Sequence, residues 1–388
     1  MDDKSLSVND PNREGMLVTY ALPRYGFSLM LTCADFIVLF LYTEVYALSG
    51  LLAGVAAGMG KVAIALSTFL GGYLSDRTQT RWGKRRPFLL LGSPILMITF
   101  IFLLIPTFII GYQTPEIIVF LWYLLFNCLF QAFYGILWAA YHALMPAFAK
   151  VHERPKTSMW QNIFNYLATG TGVIYTFLGV TVFTNRYEET GVLEPEFAWV
   201  FIGFGSVIVI LLYLMHFRIP LAEDEFEKSG GNFVEEMHVI RENKNYLWLI
   251  VFHGVTGLTT AMQTVLLLGF SEKVLKLEGI RLYTIAVLLI LGILFFVGIW
   301  RKLIEVKGKK TVLKYILLFQ IAFLPLSLVG LYQGDMFFFA MFFVLGLTCL
   351  AMRPKLNEIT SYIIVIRNNY NKVYWKTWIS FQNIGDYS

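Results

Sequence analysis

Apolar positions along this chain gather into long runs, separated by short polar and mostly basic stretches. A helix needs about 20 mostly apolar residues to cross a bilayer. Ten runs qualify, near 19–45, 51–75, 87–110, 117–146, 159–183, 197–217, 246–270, 280–300, 312–332 and 335–352. The first has no short apolar core with a cleavage site behind a basic start, so the pattern predicts a span rather than a signal peptide. The longest polar stretch, Pro220 to Asn245, carries seven acidic residues and the pair Gly230-Gly231. It predicts a solvated linker with six spans before it and four after it. The domain reading is a tail at 1–18, a six-helix bundle at 19–218, a linker at 219–245, a partial four-helix bundle at 246–352 and a tail at 353–388.

Composition narrows the class further. Of 388 residues 57% are hydrophobic and only 15% charged, with mean hydropathy +0.63. Soluble domains carry nearer a quarter charged residues, so soluble and disordered classes are both excluded and an all-α polytopic membrane protein remains. Cys33, Cys128 and Cys349 fall inside apolar runs and form no disulfide framework. The histidines, His142, His152, His216, His238 and His253, include no i, i+4 pair that would seat zinc. With the N-terminus inside, every Lys and Arg except Arg186, Lys273, Lys276, Arg281 and Lys61 lies on the cytoplasmic side, counting Arg24 and Lys314 at the cytoplasmic ends of their spans. That asymmetry fixes an expected orientation in the cell membrane. The net charge of +5 is spread over several loops and tails, so it forms no nucleic-acid face.

Between the second and third spans lies Gly71-Gly-Tyr-Leu-Ser-Asp-Arg-Thr-Gln-Thr-Arg-Trp-Gly-Lys-Arg-Arg-Pro87, the most specific stretch of the chain. Asp76 ends one helix and Pro87 suits the first turn of the next. Arg77, Arg81, Lys84, Arg85 and Arg86 around Gly83 can pair with Asp76, with helix-end carbonyls or with anionic lipid heads. The pattern is read either as a gate on the cytoplasmic side or as an ordinary basic loop. A degenerate echo, Gly298-Ile-Trp-Arg301 leading to Gly308-Lys309-Lys310, occupies the corresponding place in the second half. Repeated halves are common in secondary transporters.

This stretch resembles the loop signature of the major facilitator superfamily. Its form is that of the glycoside–pentoside–hexuronide:cation symporters, the family of melibiose permease. Tyr42-Thr-Glu44-Val, Leu144-Met-Pro146 and Glu153-Arg154 add to the resemblance. It implies two six-helix bundles around a central substrate cavity, working by alternating access, of which the ten runs here complete the first and supply four helices of the second. It also implies departures. The family's cation-binding carboxylates fall on Ile64 and Thr68, its preceding basic residue is kept as Lys61, and its sugar-binding Asp falls on Trp138. A neighbouring Trp falls on His142, and the family's sugar-binding Arg falls on Asn162. The scaffold is therefore expected to carry over while sodium–melibiose symport is not. After Met352 the pattern stops, with only Tyr362 to Ile366 apolar. The resemblance would continue with two more helices, so the chain is expected either to be truncated or frame-shifted there or to be a ten-span protein.

Ionisable residues inside spans are costly and mark pathways. Asp35 and Lys61 lie at similar depths on consecutive antiparallel spans and are expected to oppose each other, as a coupling pair or as a static tie. Polar positions at helical spacing give further candidates: Arg24, Ser28 and Thr32 on the first span, Asn127, Gln131, Tyr134, Trp138 and Tyr141 or His142 on the fourth, Asn162, Asn165 or Tyr166 and Thr169 on the fifth, and His253, Thr256, Thr260 and Gln263 on the seventh. Interhelical hydrogen bonding explains such stripes as readily as a cavity does. Gly50, Gly54 and Gly58 are expected to form a close packing seam. The function expected is transport of a small polar or amphipathic solute, coupled to a cation, a proton rather than sodium, in contact with membrane lipids and without a cofactor. A non-transporting sensor or scaffold is the alternative. No nucleophile–base pair, metal motif or phosphate-cradling loop supports an enzyme.

Overall fold

The computed structural model describes residues 13–78, 80, 83–111, 114–150, 153–176 and 195–219, with isolated positions between 248 and 321. Seven α-helices make up the continuous part: α1 (Arg13–Ala21), α2 (Pro23–Phe40), α3 (Gly50–Arg77), α4 (Arg86–Leu104), α5 (Glu116–Phe148), α6 (Arg154–Ile174) and α7 (Pro195–Arg218). Among the described residues five stretches are long and apolar enough to cross a membrane, the first uniting α1 and α2 over Arg13–Val45. The expected spans at 51–75, 117–146 and 197–217 lie inside α3, α5 and α7, that at 159–183 is described only as far as 176, and the first and third are corrected. Helix starts at Arg13, within the stretch expected to be tail, and is interrupted at Leu22. Pro23, which has no N–H to donate, opens α2. The run at 87–110 is likewise broken. α4 stops at Leu104 because Ile105, preceding Pro106, leaves the helical region with φ −128° and ψ 64°, and a short turn Pro106–Phe108 follows.

α2 ends in a wide turn, Leu41–Val45, that contains Tyr42 and Glu44. The Tyr42 hydroxyl donates to the Leu103 carbonyl at 3.0 Å and its ring stacks on Tyr123 at 4.3 Å. These bonds tie the exit of α2 to α4 and α5. The chain then reverses through Ala47, whose φ of 52° is left-handed, and Glu116 accepts from the Ser49 backbone N–H at 2.9 Å.

α3 lies along α5, α4 packs on α5 and α7, and α2 is wedged against α6 and α7 with α1 on α6. α2 is the centre of this packing: Phe27, Leu29, Met30, Cys33 and Ile37 are at most 1% exposed. By contrast α3 carries a helical stripe of exposed apolar residues, including Leu51, Val55, Val62, Leu66, Leu70 and Leu74. In water such a stripe would be an aggregation liability; in lipid it is solvated.

The expected glycine seam is corrected. A Cβ on Gly50, Gly54 or Gly58 would meet nothing within 4 Å among the described residues. The close approach of α3 to α5 uses Gly60 and Gly71 instead, where a Cβ would collide with the Asn127 side chain and the Ile136 backbone. Spacing by four identified small residues, but the seam follows the face that meets α5.

The chain divides into two compact units, Met1–Ser229 with Val265–Gly269, and Gly230–Thr264 with Phe270–Ser388. In the second unit the described positions, from Trp248 to Ile321, are all helical. Leu303, Val306 and Lys307 are among them, where a connection was expected, because Leu303 and Val306 continue the apolar spacing of the preceding span. The expected linker beyond Ile219 and the chain after Ile321 lie outside the described residues.

Candidate functional site

The turn Tyr46–Ser49 makes α2 and α3 antiparallel neighbours, and Asp35 and Lys61 each lie about three turns from it. At about 1.5 Å per residue both are roughly 15 Å from the turn. Lys61 Nζ meets Asp35 Oδ1 at 2.5 Å, with side-chain exposures of 33% and 19%. Asp35 is the sole acidic residue well inside a described span. Tyr123 and Tyr134 on α5 lie within its electrostatic reach. The pair is thus charge-balanced and only partly enclosed.

On α3 the two positions matched to cation-binding carboxylates are spent on the helix itself. The Thr68 hydroxyl donates to the Ile64 carbonyl at 2.7 Å. Among the described residues no carboxylate on α3 replaces them, and the acidic side chain well inside the spans is Asp35 on α2.

Toward the other end of α2, large aromatic side chains fill the space between α2 and α5. Phe27 meets Tyr134 edge-on at 5.5 Å and Trp138 at 5.6 Å, and Tyr134 stacks on Trp138 at 5.7 Å. The Arg24 guanidinium lies over the Trp138 ring at 4.2 Å, and His142 packs against the same ring at 4.3 Å. Nε and Nη1 of Arg24 are buried without a hydrogen-bond partner, as are Nε2 of His142 and Oε1 of Gln131. Each buried donor left unmade costs about 1–3 kcal/mol. A cation over an aromatic face returns about 0.5–2 kcal/mol. The indole therefore does not balance the burial of Arg24.

Among the described residues several of the remaining polar positions form interhelical bonds. Ser28 Oγ donates to Asn165 Oδ1 at 2.6 Å, Asn127 Nδ2 to the Ala56 carbonyl at 2.9 Å, and Tyr25 to Thr171 at 3.2 Å. Gln161 Nε2 donates to the Tyr141 hydroxyl at 2.9 Å, while Tyr20 and Tyr141 exchange hydroxyl-to-carbonyl bonds of 2.7 and 2.8 Å. Thr32 packs where Gly172 leaves room. Asn162 is half-buried on α6, and Gln131 is buried on α5 with its carbonyl 3.5 Å from Ser67 Oγ.

In the basic loop Gly83 has φ 98° and its N–H donates to Thr80. Arg77 lies 4.1 Å from the centre of the Tyr73 ring. Arg85 donates to the Ala143 carbonyl near the end of α5, and Arg86 Nη2 donates to the Ile219 carbonyl just past α7 at 2.8 Å. These arginines thus serve the carbonyl ends of two helices, one of the pairings open to them. Lys84 is half-buried, and Asp76 occupies the last turn of α3. Arg81, His253 and Gln263 lie outside the described residues.

Sequence reasoning left two features unassembled. Arg13 grips Glu153 through Nε at 2.8 Å and Nη2 at 2.6 Å, and also donates to the Phe148 carbonyl at 2.8 Å. Arg24 belonged to a recognised polar stripe, but nothing in the linear pattern assigned it to Trp138.

A family model described as MFS/sugar transport protein matches residues 19–359. An uncharacterised symporter of Synechocystis sp. is 29% identical over 150 residues, which cover 38% of this chain and 28% of that relative. The chain thus spans little more than a quarter of that relative's length in the match. A bacterial homologue of the human lysosomal transporter Spinster, in an inward-facing and unoccupied conformation, aligns with TM-score 0.58 and 12% identity, over 92% of this chain and 79% of its own. The xylose transporter XylE from E. coli, partially occluded and inward-open, aligns with TM-score 0.54 and 14% identity, over 91% of this chain and 88% of its own. At such low identity these likenesses show the fold alone: an all-α major facilitator architecture.

Proposed function

Because this chain belongs to the MFS/sugar transport protein family, we propose that it is a secondary transporter that moves a small polar or amphipathic solute across the cell membrane by alternating access. The family is one of transport proteins, not enzymes, and the chain is a multi-pass membrane protein. Its N-terminus is cytoplasmic in this reading, on the strength of the one-sided distribution of Lys and Arg.

The observation that carries the coupling reading is the Asp35–Lys61 pair, 2.5 Å apart inside the spans. Protonation of Asp35 would break the ion pair and free Lys61, giving the two conformations different energies, as an ion-coupled cycle requires. The names of the relatives add support, since one is a symporter and one a xylose transporter. A proton is favoured over sodium because the two carboxylate positions of the family pattern are Ile64 and Thr68 here, and the Thr68 hydroxyl is engaged.

The test is uptake in proteoliposomes under an imposed proton gradient, with a panel of sugars, nucleosides and amino acids. In Asp35→Asn, gradient-driven accumulation is expected to fall at least about tenfold, a change of about 1.4 kcal/mol, while exchange without a gradient persists. Unchanged accumulation with unchanged pH dependence would sink the coupling role. The same replaced carboxylates favour a second reading, a non-transporting scaffold, which the absence of any solute movement would support.

A further inference from the structure

We propose that the Arg24 guanidinium, laid on Trp138 beside His142, is an anion-recognition site that takes the carboxylate or phosphate group of a small organic solute. The proposal rests on the transporter reading and names its substrate class.

Three observations meet at this place. Arg24 has two buried nitrogens with no partner and touches an aromatic face instead of a carboxylate. His142 packs on the same indole and presents a buried, unpartnered Nε2. Phe27 and Tyr134 continue the aromatic wall away from the charge. The other described arginines with hydrogen bonds, Arg13, Arg85, Arg86 and Arg154, reach a carboxylate or helix-end carbonyls. A planar fork held face-on to a ring keeps its edge donors for a ligand, and that edge matches the paired oxygens of a carboxylate or phosphate. The wall beside it suits an apolar or ring-shaped body. Asp35 already has Lys61 as its counter-ion, and among the described residues no other acid well inside the spans is at hand to pair with Arg24.

The full chain, purified in neutral detergent at low salt, is followed by thermal unfolding with matched probes: benzoate against benzyl alcohol, and glycerol phosphate against glycerol. The anion of at least one pair is expected to raise the midpoint while its neutral mate does not. Arg24→Gln should weaken that binding at least about tenfold, and Arg218→Gln, a charge lost from the end of α7, should leave it unchanged. Arg24→Lys keeps the charge without the fork and is expected to bind the anion more weakly than wild type. It decides the matter if Arg24→Gln does not fold.

Equal protection by the neutral mates, or full anion binding by Arg24→Gln, overturns the proposal. Nanodiscs of phosphatidylcholine with and without phosphatidylglycerol separate the lipid source. Protection by phosphatidylglycerol alone, dependent on Arg24, makes the site a headgroup contact and overturns a soluble solute. Anion binding with no uptake into proteoliposomes removes the transporter reading but keeps the site. Uptake of neutral solutes with no dependence on Arg24 does the reverse.

Discussion

Arg13 and Arg24 stand on consecutive helices and are treated in opposite ways. Arg13, on α1, is buried to 9% exposure but fully engaged, with two bonds to Glu153, one to the Phe148 carbonyl and its guanidinium over the Phe148 ring. Glu153 in turn accepts from the Lys150 backbone N–H. Arg24, on α2, has an indole and, among the described residues, no carboxylate. The first arrangement ties α1 to the connection between α5 and α6 and is architecture. The second leaves donors unmade inside an apolar bundle, which a protein retains only when something other than stability depends on it.

The largest way to test this contrast is to remove Arg13. Arg13→Met leaves Glu153 buried without its cation, and a buried partner stranded in this way costs about 3–5 kcal/mol. Loss of folded protein by size-exclusion chromatography and a lowered unfolding midpoint are the expected outcomes. Arg13→Met with Glu153→Leu should recover most of the loss, and a failure to do so would mean that the ion pair is not the tie. Arg24→Met should behave differently. It removes unmade donors as well as the ring contact, so unfolding without ligand is expected to be unchanged or stabilised by about 1 kcal/mol. A loss as large as that of Arg13→Met would erase the distinction between the two sites. The smallest effect is expected at Ala47, whose left-handed backbone lies on neither arginine's helix. Ala47→Gly relieves about 1 kcal/mol of backbone strain, less whatever the freer unfolded chain gains. It calibrates how finely unfolding midpoints resolve such differences.

Helix placement was legible because hydrocarbon imposes one rule, an apolar run of sufficient length, and α3, α5 and α7 obey it closely. α1 was misjudged because Arg13 and Glu14 are polar, yet a helix packed on α6 and anchored by Glu153 needs no lipid-soluble surface there. Asp35 and Lys61 were legible as a pair since two helices joined by a short turn keep equal sequence distances at equal depth. The glycine seam was not, because spacing names a face without saying which helix meets it. The polar stripes divided in the same way. Ser28, Asn127 and Tyr141 found partners on other helices, whereas Arg24, Gln131 and His142 hold buried atoms without one.

By itself, then, the amino-acid order determined that this is a membrane-spanning helical protein, where most of its described spans run, and that an acid and a base face each other at equal depth on α2 and α3. Those properties depend on local length, rise and hydropathy. Tertiary structure alone decided that Arg85 and Arg86 serve the ends of α5 and α7, that Gly60 seats Asn127, and that Arg24 rests on Trp138. Each joins helices distant in sequence, and such contacts follow from the rotation of each helix about its axis, which packing of whole side-chain surfaces sets and no linear spacing records.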